Sequence, residues 1–89
     1  MKSEPAEIQF PREWEYRIFC ESGSYESVRK SAEQCCAKMN LSGLHLEDGE
    51  VSGSGKYRTI RLMVNVNSKE EANELGAALK NIAGVRFIL

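Results

Sequence analysis

The sequence predicts an α+β fold in which two helices pack on one face of a four-stranded antiparallel sheet. The first observation is the alternation of residues 57–66, where aliphatic side chains recur at every second position, the period of a strand buried on one face. The second is a pair of segments, 25–39 and 72–82, whose apolar residues recur every three or four positions, the period of a helix. Together with weaker alternating segments, they give the third observation, the element order βαββαβ.

The length and net charge of the chain limit the number of domains and the classes of partner it can have. Its 89 residues are predicted to form one domain, residues 10–89, behind a flexible and charged tail, residues 1–9. A formal net charge of −1 argues against strong nonspecific binding to nucleic acid or to anionic membranes. No secretory signal is visible, and no apolar run approaches the roughly 20 residues of a membrane span. Three cysteines without a CxxC spacing favour reduced thiols in a cytoplasmic protein.

The first strand is predicted over residues 14–21, because apolar and charged side chains alternate there. The alternation turns one set of side chains toward the core: Trp14, Tyr16, Ile18 and Cys20. It leaves Glu15, Arg17, Phe19 and Glu21 on the opposite face. The segment Ser22-Gly23-Ser24 breaks the strand and offers caps for the first helix, which residues 40–43 close with Asn and Gly.

The second strand, residues 44–51, is weakly patterned, which is typical of an edge strand. Val51 falls out of phase with the leucines of this strand, so a bulge near residues 48–49 would be needed to return it to the core face. Residues 52–56 are rich in serine and glycine. They are predicted to form the hairpin tip that leads into the strand at 57–66.

The second helix has a clear start and end. Ser68 and Glu71 are spaced as a capping box, and Gly84 follows the last apolar position of the helical stripe. A short strand completes the chain. Its alternation is expected to direct Val85, Phe87 and Leu89 to the core and Arg86 and Ile88 to the opposite face.

These elements combine into one arrangement. Each predicted helix links two strands by a connection long enough for a crossover, and the middle two strands form a hairpin. Right-handed crossovers place the first and third strands in the centre of the sheet and both helices on one face, which is the ferredoxin-like arrangement. The other face of the sheet stays bare. The predicted core consists of Ile18, Ile60, Leu62, Val64, Leu75, Leu79 and Phe87.

Four short motifs resemble a known family in their order and spacing. They are the opening at 10–17, the serine- and glycine-rich hairpin ending in tyrosine at 52–57, the helix start at 68–71 with Leu75, and the terminal strand at 84–89. Together they resemble the YbeD-like family of small bacterial domains of unknown function, over residues 10–89. The resemblance implies a ferredoxin-like fold close to ACT regulatory domains, which bind amino acids and dimerise. It implies no catalytic residue.

The residues themselves favour a protein without enzymatic activity, cofactor or metal ion. His45 is the only histidine, and a general base needs an orienting partner while a metal site needs several ligands, so an exposed strand residue is the better interpretation. Cys35 and Cys36 lie towards the C-terminal half of the first helix, away from the helix N-terminus that activates a thiol. Core packing is therefore favoured for them.

The bare face of the sheet is the main candidate site. The side chains expected to project from it and to bind a partner are Arg17, Phe19, Tyr57, Arg61, Met63 and Arg86. Phe19 and Met63 would form an apolar centre and the arginines a rim, the usual anatomy of an interface with another protein or with a second copy of the chain. The alternative is single-stranded RNA, with bases stacked on Phe19 and Tyr57 and phosphates on the arginines.

A small-molecule anion is a further candidate ligand, by resemblance to ACT domains. It would bind at the turn before the first helix, where free backbone amides favour negative charge: Ser22, Gly23 and Ser24. A plain cap and turn is the alternative interpretation of these three residues.

Overall fold

The computed structural model describes residues 9–89, so the predicted tail lies, except for Gln9, outside the described residues. The elements follow the predicted order. They are β1 (Arg12–Glu21), a 3-10 turn (Ser22–Ser24), α1 (Tyr25–Lys38), β2 (His45–Val51), β3 (Tyr57–Val66), α2 (Lys69–Lys80) and β4 (Val85–Ile88).

The four strands form one antiparallel sheet in the order β2-β3-β1-β4, which confirms the predicted ferredoxin-like topology with the first and third strands in the centre. The longest ladder joins β1 to β3. It runs without interruption from Arg12 opposite Val66 to Glu21 opposite Tyr57. Because successive residues of a strand point to opposite faces, this single register decides which side chains of both central strands are buried.

The core lies between the sheet and the two helices. β3 contributes Ile60, Leu62 and Val64, all fully buried, and Ile18 of β1 lies directly opposite Ile60. The helices cover this face with the buried residues Tyr25, Val28, Ala32, Cys36, Ala72, Leu75 and Leu79. Six of the seven predicted core residues are therefore confirmed, and only Phe87 is wrong.

The start of α2 and the end of α1 follow local rules, whereas Ser24, the N-cap residue of α1, makes no side-chain capping hydrogen bond. The Ser68 hydroxyl accepts a hydrogen bond from the amide of Glu71 at 3.1 Å, as the predicted capping box requires. The Glu71 carboxylate in turn accepts a hydrogen bond from the amide of Asn67 at 2.7 Å, one residue earlier than in the standard box. After α1 the chain turns at Asn40, with φ of 57°, and at Gly43, with φ of 70°, which confirms that residues 40–43 close this helix.

A bulge in β4 explains why Phe87 is not in the core. Ile88 pairs with Ile18 and Phe87 with Phe19, but Val85 pairs with Cys20, so Arg86 is an extra residue in the ladder. The bulge reverses the phase of the strand. Val85 and Ile88 pack against the core, while Phe87 lies 51% exposed on the opposite face, so the predicted faces of Phe87 and Ile88 are both wrong.

The edge strand β2 carries the bulge that its sequence predicts. Its register with β3 shifts between Asp48 and Val51. The shift does not bury Val51, however, which remains 53% exposed. The bulge therefore ends the pairing at the hairpin rather than restoring the core face.

Leu62 tests the assignment of the core face. Replacing Leu62 with Ala removes a fully buried side chain at the centre of β3 and should lower the free energy of unfolding by about 2–5 kcal/mol. Chemical denaturation followed by circular dichroism measures the change. The matched control is Val51→Ala on the exposed end of β2, which should change stability by less than about 0.5 kcal/mol. Equal losses for the two variants would contradict the assignment.

Gly84 tests the close approach between β4 and the start of α1. Its φ is 97°, and a Cβ atom there would lie 2.5 Å from Cβ of Ser24 and 3.2 Å from Cγ2 of Val28. Gly84→Ala should therefore destabilise the protein by more than about 1 kcal/mol in thermal or chemical unfolding. Gly23→Ala is the matched control, since a Cβ at Gly23 would have open space around it. A neutral Gly84→Ala variant would contradict this account of the turn.

Candidate functional site

The face of the sheet that the helices leave uncovered, called here the open face, holds all six residues predicted to bind a partner. It is built from alternate positions of the four strands, those that point away from the buried residues. Its side chains include His45 and Glu47 from β2; Tyr57, Thr59, Arg61 and Met63 from β3; Glu15, Arg17, Phe19 and Glu21 from β1; and Arg86 and Phe87 from β4.

Three aromatic rings gather at one end of this face and form, with Arg86, the aromatic patch. The rings of Phe19 and Phe87 stack with centroids 4.4 Å apart and planes inclined by 16°. The Arg86 guanidinium lies 5.9 Å from the centroid of the Tyr57 ring. These four side chains line a shallow hollow of about 360 Å³. Tyr57 is 41% exposed and Phe87 51% exposed, so the patch presents apolar surface to solvent.

The middle of the open face is a row of ion pairs across three strands. The Arg61 guanidinium donates to Glu15 of β1 and to Glu47 of β2, each at 3.0 Å. Arg17 lies directly opposite Arg61 in the ladder, and its guanidinium is 3.9 Å from the same Glu15 carboxylate. Glu15 therefore separates two like charges that would otherwise repel each other.

These pairs also set the ionisation of Glu15. The hydrogen bond from Arg61 lowers the pKa of the Glu15 carboxyl, and the charges of Arg61 and Arg17 act in the same direction. The hydrogen bond with Glu15 likewise raises the pKa of Arg61. The central guanidinium and its carboxylate partner thus remain charged around neutral pH.

Each arginine of the predicted rim has a glutamate of the same chain beside it. The third pair joins Arg86 to Glu21, 3.6 Å apart at the aromatic end of the face. The rim is therefore nearly neutral in charge rather than positive. The strand alternation had placed Glu15 and Glu21 on the same face as Arg17 and Phe19, but neither they nor Glu47 were included among the residues predicted to bind a partner.

The predicted apolar centre of Phe19 and Met63 does not form. Phe19 lies opposite Thr59 and Met63 opposite Glu15, four positions further along β3, or about 13 Å. Arg61 stands between them and is engaged with Glu15. The neighbour of Phe19 is instead Phe87, which the sequence alternation had assigned to the core.

The turn proposed as an anion site is tied to the β2–β3 hairpin. Ser22, Gly23 and Ser24 form a short 3-10 turn before α1. The amide of Ser22 donates to the carbonyl of Lys56 at 2.8 Å, and its hydroxyl donates to the carbonyl of Gly55 at 2.7 Å. The Ser22 groups that could have held an anion thus fasten two loops together.

His45 and the three cysteines lie in surroundings that do not activate them for catalysis. His45 lies on the open face with Nε2 2.9 Å from the Glu47 carboxylate, and both side chains are substantially exposed. Burial raises the pKa of the Cys36 thiol to about 11 and also raises the pKa of Cys20. Both thiols are therefore protonated at neutral pH and pack in the core. Cys35, the residue before Cys36 in α1, is half-buried and packs against the same core.

Two classes of site find no support in the described part of the chain. Among residues 9–89, no three His, Cys, Asp or Glu side chains are grouped so that they could hold a metal ion. Neither of the described helices has the length and apolar character of a membrane-spanning segment.

Solved structures of similar shape are small domains of the same fold. Protein HP0495 from H. pylori superposes with a TM-score of 0.83 at 18% identity, covering 98% of this chain and 90% of that one. The C-terminal domain of the MgtC protein from Mycobacterium tuberculosis gives a TM-score of 0.69 at 17% identity, covering 94% and 89%. At such identities the likeness establishes the fold alone.

An ACT domain is also among the similar structures. The ACT domain from the GTP pyrophosphokinase of Chlorobium tepidum gives a TM-score of 0.61 at 16% identity, covering 86% of this chain and 94% of that one. The ACT-like character expected from the sequence is thereby confirmed at the level of the fold. No curated protein matches the chain.

A protein-family model covers almost the whole chain. The model described as "Protein of unknown function (DUF493)" matches residues 5–89, a span that contains all four motifs of the YbeD-like resemblance. With the fold and the family both in agreement, the chain belongs to this YbeD-like family of small domains of unknown function.

Proposed function

We propose that this domain is a non-catalytic regulatory module that docks another protein chain through the open face of its sheet. The observation that carries the proposal is the aromatic patch, where the stacked rings of Phe19 and Phe87 lie beside Tyr57 in contact with solvent. Large apolar rings are among the residues that a folded chain most strongly buries, and a cluster of them left exposed marks an interaction site.

The composition of the patch supports a protein partner. Tyr, Phe and Arg are enriched at protein interfaces, and binding energy concentrates where aromatic side chains are excluded from water. The Phe19–Phe87 stack holds both rings in place before binding, which lowers the entropy cost of association. The ion pairs of Arg61 and Arg17 with Glu15 then form a polar margin on one side.

The RNA alternative receives less support from the electrostatics of the open face. Binding to a nucleic acid backbone draws most of its affinity from cations that neutralise phosphates. Here Arg17, Arg61 and Arg86 each have a glutamate of the same chain within 4.0 Å. A phosphate would have to displace these carboxylates, and the chain as a whole carries a net charge of −1.

ACT-like sensing of a small anion at Ser22, Gly23 and Ser24 is also supported less than docking. The backbone and side chain of Ser22 are already engaged with the hairpin at Gly55 and Lys56. The hollow beside the turn is lined by both Glu21 and Lys56, so it offers an anion no excess of positive charge. A regulatory role is therefore better assigned to contact with a protein than to capture of a metabolite.

The proposed absence of catalysis follows from the surroundings of the reactive groups. The thiols of Cys20 and Cys36 are buried and protonated, which removes the thiolate that a nucleophilic cysteine needs. His45 faces solvent with only Glu47 beside it, and no wall excludes water from the pair. Three unbridged cysteines also suit the cytoplasm, where thiols stay reduced.

Phe87 provides the test of the docking surface. With the tagged protein as bait in a lysate of its native host, the wild type should retain a specific set of proteins, and Phe87→Ser should lose it, because the substitution removes the exposed half of the aromatic stack. Quantitative mass spectrometry of the captured material measures the loss. The fold should survive, since Phe87 is half-exposed and lies outside the core.

Val51→Ser is the matched control, since Val51 is an equally exposed apolar side chain at the end of β2. It should retain the proteins that the wild type captures. Retention of every protein by Phe87→Ser would contradict docking at the patch. Captured material that is sensitive to ribonuclease, and whose binding falls steeply with salt, would favour RNA instead.

A further inference from the structure

We infer that the chain docked at the aromatic patch is a second copy of this protein, placed by a twofold axis so that Arg86 of each copy pairs with Glu21 of the other. The inference rests on the proposed function, because it names the occupant of the same surface. The observation that supports it is the pattern of charges around the aromatic patch. One cation and one anion border the aromatic patch side by side, 3.6 Å apart.

Such a pattern is complementary to itself. A twofold axis brings the same surface of two copies together, so a residue on one side of the axis meets the residue on the other side in the second copy. An axis that lies in the interface and passes between Arg86 and Glu21 therefore sets each guanidinium opposite a carboxylate. Tyr57 adjoins both groups, opposite Glu21 in the ladder and beneath Arg86, so aromatic surface lies next to the same axis.

Breaking the Arg86–Glu21 ion pair within each chain, so that both residues can pair with the other copy, costs little stability. The side chains of Arg86 and Glu21 are 56% and 51% exposed, and an exposed ion pair of this kind contributes little to stability. Contact with a second copy would exclude water from the same charges, which strengthens their attraction but also removes them from solvent, so good pairing across the axis is required. Arg86 and Glu21 therefore lie at the border of the patch without being tightly bound to each other.

The rest of the open face is compatible with the same arrangement. Its ion pairs use three arginines and three glutamates, so the face offers no net charge to a strongly acidic or basic partner. A second copy needs no net charge, because it brings both signs in the same arrangement. Like-charged contacts across the axis are avoided when Arg86 and Glu21 exchange partners.

Charge reversal tests the contact between copies. In sedimentation over a concentration series, the wild type should dimerise, while Glu21→Arg and Arg86→Glu should each weaken self-association by at least about tenfold, since each places like charges across the axis. An equimolar mixture of the two variants should recover the dimer. In that mixture one chain carries two cations where the other carries two anions, so both contacts across the axis become attractive.

The mixture separates a contact between chains from an effect within one chain. Each variant alone lacks the intramolecular pair, so recovery on mixing can come only from pairing across the interface. Glu33→Arg, an exposed reversal on α1, is the matched control and should dimerise like the wild type. The double variant Glu21→Arg with Arg86→Glu should also dimerise, and circular dichroism verifies that every variant is folded.

Three results would overturn the inference. They are a wild type that stays monomeric at every concentration, a dimer that neither reversal weakens, and a dimerising wild type whose two variants fail to associate when mixed. The capture experiment tests the proposed function separately. If the wild type is monomeric but Phe87→Ser still loses a captured protein, docking at the patch stands and its occupant is a different chain.

Discussion

The antiparallel ladder between β1 and β3 fixes both the core and the open face of this domain. Its uninterrupted register, from Arg12 opposite Val66 to Glu21 opposite Tyr57, assigns every side chain of the two central strands to one face or the other. Since the helices cover only one face, this assignment buries Ile18, Ile60 and Leu62 and exposes the residues between them. A slip by one residue would exchange the two sets, so the stability of the core also fixes the composition of the open face.

The open face is neutralised within the chain rather than left charged for a partner. The register that builds the core brings Glu47 directly opposite Arg61 and leaves Glu15 diagonal to it, within hydrogen-bonding distance. A sheet surface of alternating ion pairs stays well solvated, and it offers neither a continuous apolar area nor a positive field. The exposed apolar surface of this face is therefore concentrated at one end, in the rings of Phe19, Phe87 and Tyr57.

The aromatic patch owes its existence to an irregularity. The extra residue in β4, Arg86, brings Phe87 onto the open face beside Phe19 and places its own guanidinium near Tyr57. A regular strand would have buried Phe87 and left the face without an apolar cluster. Bulges that redirect a side chain are common at functional sites on edge strands, and here the bulge gives a small domain of ACT-like fold an exposed aromatic cluster.

The order of the elements, the core of the central strands and the start of α2 could all be predicted from the sequence. Period-two alternation in residues 57–66 and the Ser68–Glu71 capping box are local signals, decided by neighbours along the chain. The face of Phe87 and the partners of the arginines depend instead on contacts between strands. A bulge arises from how β4 meets β1, and the ion pair of Arg61 with Glu15 joins residues 46 positions apart. Such contacts depend on the register between distant strands, which no local pattern encodes.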